Sequence, residues 1–256
     1  MKKVLSLVLS LLMIFGCMSI GTFAADDIVK VYVSVANKGE LVAAQVAVDV
    51  KDIDSDGALT VNDALYAVHE AVYDGGAQAG YSYYTHKVYG ISLGKLWGDA
   101  SGNFGYYLNN SSCWSLADTV KDGDYLTAFV YKDAKLYSDT YCFFSDCTVT
   151  ANKGDEIELT LNGAGYDASW NPITVTVADA EITVDGVATG VKTDENGKAT
   201  IKIDKVGEHI ISAVSASQTI VPPVCTAQIN GIFEIIVNAV VGFFMSIINF
   251  ITSLFA

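Results

Sequence analysis

Residues 52–63 read Asp-Ile-Asp-Ser-Asp-Gly-Ala-Leu-Thr-Val-Asn-Asp. Carboxylates stand at positions one, three, five and twelve of this run: Asp52, Asp54, Asp56 and Asp63. Gly57 stands at six, where the chain must turn sharply, and Leu59 at eight, where a branched side chain can pack inward. Calcium takes about six to eight hard oxygen ligands. Four carboxylates and the Ala58 carbonyl supply most of that number, and a water held near Thr60 completes it. The expected metal set is therefore Asp52, Asp54, Asp56, Ala58, Thr60 and Asp63, with calcium as the cofactor. A solvated acidic turn is the plainer alternative, and the glycine and apolar positions argue against it.

Other spacings are weaker. Gly90-Ile91-Ser92-Leu93-Gly94 matches a nucleophile elbow, which needs a strand before it, a long helix after it and a downstream acid and histidine. Glycines and turns follow instead, and the only later histidine is His209, far along the chain. A hydrolase using Ser92 is thus disfavoured, and no catalytic residue is assigned. His69 and His86 have no second ligand at metal spacing. Tyr81, Tyr83, Tyr84, Trp97, Tyr106, Tyr107 and Trp114 make either a sugar-stacking platform or, as the favoured reading, the large side chains of a thin core.

The elements that must hold the acidic run are legible. Ile28–Val35 alternates apolar and polar residues and reads as a strand, as does Leu41–Val50. In Asn62–Tyr73, Ala64, Leu65, Val68 and Val72 recur at helical spacing, and Gly75-Gly76 ends the helix. The loop with Asp last and a helix after it is EF-hand-like and resembles a dockerin calcium segment. A dockerin has two such segments and this chain shows one. The resemblance therefore implies calcium binding more than recognition of a cohesin partner. Gly105-Tyr106-Tyr107-Leu108-Asn109, Val120-Lys121-Asp122-Gly123-Asp124 and Phe129-Val130-Tyr131 look like the transcobalamin-like C-terminal β-grasp domains of bacterial surface proteins. That resemblance implies an α+β unit over residues 25–146 and a cobalamin-like small ligand, with no binding residue carried over.

From Cys147 to Ile229 short strand-like runs alternate with turn signals, among them Asp194-Glu195-Asn196-Gly197. Their spacing predicts an all-β sandwich, and it looks like the bacterial Ig-like repeats of adhesins. Cys147 and Cys225 bracket this unit and are expected to pair, leaving Cys113 to Cys142.

The ends suggest export and anchoring. Met1-Lys2-Lys3, an apolar run and Thr22-Phe23-Ala24 predict a signal peptide over residues 1–24, with Cys17 as a rival lipoprotein site. Residues 230–256 are expected to form a transmembrane helix, since no charge follows Glu234. Asn238, Gly242, Ser246 and Asn249 share one face of it and suggest self-association. Without Lys2 and Lys3 the chain carries 13 lysines and 29 carboxylates, a net charge of −16, and it has no arginine. Such a chain suits cations and disfavours nucleic acid. The sequence thus predicts a non-enzymatic bacterial protein exported to the outer face of the cell membrane. Its expected role is a calcium-stabilised binding or adhesion module for a protein or glycan ligand. A cellulosome-type assembly component and a cobalamin-like binder are the alternatives.

Overall fold

The computed structural model describes residues 29–231 except Tyr89, together with Met245 and Thr252. Two strands open the chain, β1 (Val29–Asn37) and β2 (Glu40–Val50). They form a hairpin whose turn takes positive φ at both Lys38 (52°) and Gly39 (86°). Helix α1 (Val61–Val72) and the one-turn α2 (Gly76–Gly80) follow. Next come β3 (Ser82–His86), β4 (Gly90–Lys95), β5 (Phe104–Leu108), β6 (Ser111–Ser112) and β7 (Tyr125–Val130). The first sheet runs β2-β1-β7-β5-β6, with β1 and β7 parallel, while β3 and β4 form a separate ribbon.

Alternation drives this sheet: Val31, Val33 and Val35 of β1 and Leu126, Ala128 and Val130 of β7 are buried on one face. Helix α1 lays Val61, Ala64, Leu65 and Val68 on that face, all fully buried. The spacing i, i+3, i+4, i+7 that marks the helix in the sequence is therefore the stripe that makes the core.

The second half contains β8 (Thr140–Phe144), β9 (Thr148–Asn152), β10 (Glu156–Tyr166), β11 (Pro172–Thr176), β12 (Ala180–Val184) and β13 (Val187–Lys192). It ends with β14 (Lys198–Lys202), β15 (Gly207–Ser215), β16 (Ile220–Val221) and β17 (Cys225–Asn230). One sheet runs β11-β10-β8-β16, with β14 also on β10; the other runs β13-β12-β15-β17-β9. Leu159, Leu161 and Ile201 of the former meet Ile182, Ile211 and Ala227 of the latter in one buried cluster. This half is thus a two-sheet sandwich. Strand β8, which precedes the expected boundary at 146, pairs with β10. In the turn at 194–197 only Gly197 takes a positive φ (74°), not Asn196 as a tight Asn-Gly hairpin requires, and β13 and β14 leave it for different sheets.

A third cluster joins the halves: Ala36 and Phe129 from the first meet Tyr141 and Val221 from the second. Tyr107 stacks on Tyr141 at 3.8 Å and 6°. Gly105 is required here, because a Cβ on it would lie 2.3 Å from the Phe129 ring. Gln45 adds the polar link. A register shift in the β1–β2 pairing faces it, and φ of 43° turns it outward. Its Nε2 donates to the Cys147 and Val224 carbonyls at 3.0 and 3.2 Å, and its Oε1 accepts from Thr226 Oγ1 at 2.6 Å.

These observations correct the expected fold class. Strands hold 52% of the described residues and helices 9%, so what is described is mainly β, not the expected α+β unit followed by a sandwich and a transmembrane helix. The reason is local: outside α1 and α2, apolar residues alternate with polar ones, and a period of two buries only a strand. Among the described residues no helix is long and apolar enough to cross a membrane. Asn230 ends β17; apart from Gly231, Met245 and Thr252, the rest of the expected C-terminal helix, with Asn238, Gly242, Ser246 and Asn249, and the expected signal at 1–24 lie outside the described residues. The expected disulfides are corrected too, since Cys113, Cys142, Cys147 and Cys225 are all free thiols. Cys147 and Cys225 are nonetheless cross-strand neighbours, because β9 and β17 pair Thr148 with Thr226.

Candidate metal centre

The acidic run links β2 to α1, and its backbone is tied from inside. Asp52 accepts the Asp56 N–H (3.2 Å) and the Gly57 N–H (2.9 Å). Asp56 Oδ1 accepts the Ala58 N–H at 2.8 Å. Gly57 takes φ of 86° and Ser55 of 59°, so the loop curls through the left-handed region twice. Thr60 then caps α1. Its N–H and Oγ1 both donate to Asp63 Oδ2, at 2.8 and 2.7 Å, while Asp63 Oδ1 accepts the Ile53 N–H at 2.9 Å. The last residue of the loop is thereby fastened to the second.

A neighbouring segment clamps the same corner. Val61 and Asn62 N–H groups, free of helical partners, donate to the Asp118 and Leu116 carbonyls, and the Val120 N–H donates to the Leu59 carbonyl, each at 2.9 Å. The loop's exit is therefore paired to residues 116–120.

Side chains of Asp52, Asp54 and Asp63 converge, each offering one oxygen within 4.8 Å of the others. Two ligands of one ion at about 2.4 Å lie at most about 4.8 Å apart, so the spacing meets the first requirement for a shared calcium ion. Asp54 is the telling member. Its Oδ2 accepts a hydrogen bond from Asn62 Nδ2 at 3.2 Å, whereas Oδ1 is buried and has no partner. A buried carboxylate oxygen without a donor carries a desolvation cost that a cation would offset. Burial first, then the Asp56 and Asp63 carboxylates, push the Asp54 pKa up. The Gly57 N–H holds Asp52 below its ordinary value, against the effect of burial. The site thus stores like-charge repulsion that a divalent cation would relieve.

Of the six expected ligands, Asp52, Asp54 and Asp63 stand together. Asp56 lies outside that trio, Ala58 follows it in the turn, and the Thr60 hydroxyl is committed to Asp63. Asn62 was not among them. It is fully buried, steers Asp54, and accepts the Tyr81 hydroxyl at 2.7 Å through Oδ1. An amide between the loop and an apolar stripe was the available signal.

The other candidates separate. Ser92 lies inside β4 opposite Tyr84, not on an elbow, and His209 bonds Asp185 (2.7 Å) and the Lys205 carbonyl (2.8 Å) in the sandwich. His69 is buried in the first core: Nδ1 donates to the Leu65 carbonyl at 2.6 Å and Nε2 accepts the Trp97 N–H at 3.1 Å. Tyr81 is buried as expected of a core aromatic, but Trp114 is 90% exposed.

No family model matches this chain, and no curated protein matches it. Among solved structures it is similar to two crystal structures of the N-terminal four Ig domains of Dscam1. For isoform 9.44 identity is 14%, coverage 54% of this chain and 30% of that one, and the TM-score 0.23. For isoform 4.4 identity is 14%, coverage 57% and 31%, and the TM-score 0.24. The chain thus spans about a third of those structures, and a superposition of that quality fixes neither fold nor function.

Proposed function

We propose that the protein is an extracellular binding module whose first half is stabilised by calcium held between Asp52, Asp54 and Asp63. The observation that carries this reading is the buried, partnerless Oδ1 of Asp54, one of three carboxylates that converge. Calcium would be a structural ion here. The loop leads into the helix that closes the first core and is paired to residues 116–120, so a bound ion braces both. Export is supported by the leader-like N-terminus and the strong negative charge. A dockerin-like assembly role is less well supported, because α1 spends its apolar stripe on its own core.

Calorimetry of the chain with calcium and with EDTA tests the reading. Ligand at a hundredfold excess over its Kd stabilises by about 2.7 kcal/mol. Calcium should raise the melting temperature accordingly, and Asp54→Asn should remove most of the rise. Equal melting temperatures of the native chain in calcium and EDTA would rule the metal out.

A further inference from the structure

The two halves leave a second feature between them. The edge strand β6 of the first sheet and the edge strand β11 of the sandwich face each other across a cleft of about 710 Å³. Small-molecule sites occupy roughly 300–1,000 Å³. Tyr107 and Phe143, from the cluster that joins the halves, line it together with Trp114, Tyr166 and Trp170. No charged side chain lines it, although the chain carries a net charge of −14.

The lining is unusual in what it exposes. Trp114 is 90% and Trp170 81% accessible, the former from the first half and the latter from the second. Isolated apolar residues on a surface need no explanation, but two of the chain's three tryptophans meeting at one cleft do. The backbone of both is fixed by hydrogen bonds. The Trp114 N–H donates to Asp118 Oδ2 at 2.8 Å, next to the fully buried Leu116. Trp170 sits at φ of 64°, a left-handed conformation that bulky residues rarely adopt. Asp167 maintains it: Oδ1 accepts the Ser169 and Asn171 N–H groups at 2.8 and 2.9 Å, Oδ2 accepts Asn171 Nδ2 at 2.9 Å, and the Asp167 carbonyl accepts the Trp170 N–H at 3.0 Å. The Asp167 network thus holds the turn that presents the Trp170 indole to water.

We infer that this cleft binds a neutral saccharide between Trp114 and Trp170. A sugar ring has an apolar C–H face suited to an indole and a rim of hydroxyls suited to amides and hydroxyls. The cleft supplies both: aromatic faces from Trp114, Tyr166 and Trp170, and polar groups from Asn110, Ser111, Ser112 and Thr174. The Tyr141 hydroxyl donates to Asn110 Oδ1 at 2.9 Å and sets the orientation of that amide. Absence of lysine in the lining disfavours phosphorylated or uronic-acid ligands, and the negative charge of the whole chain disfavours them further. An aromatic side chain has only two χ angles to fix, and a backbone already tied at both segments lowers the ordering cost further.

The assignment deepens the reading of an extracellular binding module and rests on it for the ligand's setting, though not on the metal. The test is a glycan array of neutral and acidic glycans probed with the full chain in saturating calcium, followed by calorimetry with the neutral oligosaccharide that gives the strongest signal. Neutral glycans should bind. Trp114→Ala and Trp170→Ala should each weaken binding at least about tenfold, and Tyr84→Ala, on an exposed ribbon elsewhere, should leave it unchanged. Both tryptophans are exposed, so their loss should not shift the melting temperature. The inference is overturned if no neutral glycan binds, if acidic glycans bind more tightly, or if the Trp114/Trp170 double variant binds like the native chain. A calcium-independent melting temperature would remove the metal reading while leaving the saccharide result to decide the cleft.

Discussion

The acidic loop and the aromatic cleft are built on opposite plans. Every carboxylate of the loop comes from 12 consecutive residues, and most of its hydrogen bonds close within that run. The cleft draws on residues 107–114, 143 and 164–174, which meet only because two sheets dock through Phe129, Tyr141 and Gln45. A local site tolerates movement of distant parts, whereas an assembled site inherits the stability of its joint. One strand of backbone connects them: residues 116–120, paired to the loop's exit, follow Trp114 directly.

Phe129→Ala tests this difference most severely. Phe129 is 1% exposed, and large-to-small changes at such sites cost about 3–5 kcal/mol. Urea denaturation should show a loss of that order and calorimetry a loss of saccharide binding, while the remaining folded protein still gains stability from calcium. If calcium binding failed along with the cleft, the two sites would be one unit. Asn62→Ala addresses the loop, together with the buried Tyr81 hydroxyl that Asn62 accepts. Residues that orient metal ligands typically contribute about 10–100-fold in affinity. Calcium titration should therefore give a Kd weaker by that factor, with saccharide affinity nearly unchanged at saturating calcium.

Gln45→Ala probes the joint more gently. Three hydrogen bonds cross it, but the groups left behind can regain water at a partly buried site, so the expected cost is about 1 kcal/mol by denaturation. A loss no larger than for Glu40→Ala, on the exposed end of β2, would mean that the apolar cluster alone holds the halves together.

The smallest expected effect concerns His69, the buried base of the first core. Burial pushes its pKa below the ordinary 6.5, despite the Leu65 carbonyl. The unfolded chain therefore binds a proton more readily than the folded one, and stability falls as pH drops below about 6.5. Denaturation at pH 7.5 and pH 5.5 should show that fall, and His69→Gln should flatten it. The cleft has no charged lining, so saccharide affinity measured on folded protein should not follow it.

Residue order alone determined much of this molecule. The strand expected at 28–35 and found at 29–37, the helix expected at 62–73 and found at 61–72, and the strand-rich second half follow from periods of two and 3.6, which are properties of neighbouring residues. The trio Asp52, Asp54 and Asp63 followed from spacing, because a loop closed by its own backbone is encoded within its own length. Tertiary structure decided what depends on residues far apart. It placed β8 in the sandwich, left the cysteines as free thiols, sent β13 and β14 to different sheets, and made strand the dominant element. It also turned Trp114 from an expected core residue into an exposed one and brought Trp170 to the same cleft. Periodicity reports which face of an element is apolar, but only the docking of sheets determines which apolar surface is covered and which is left open to a ligand.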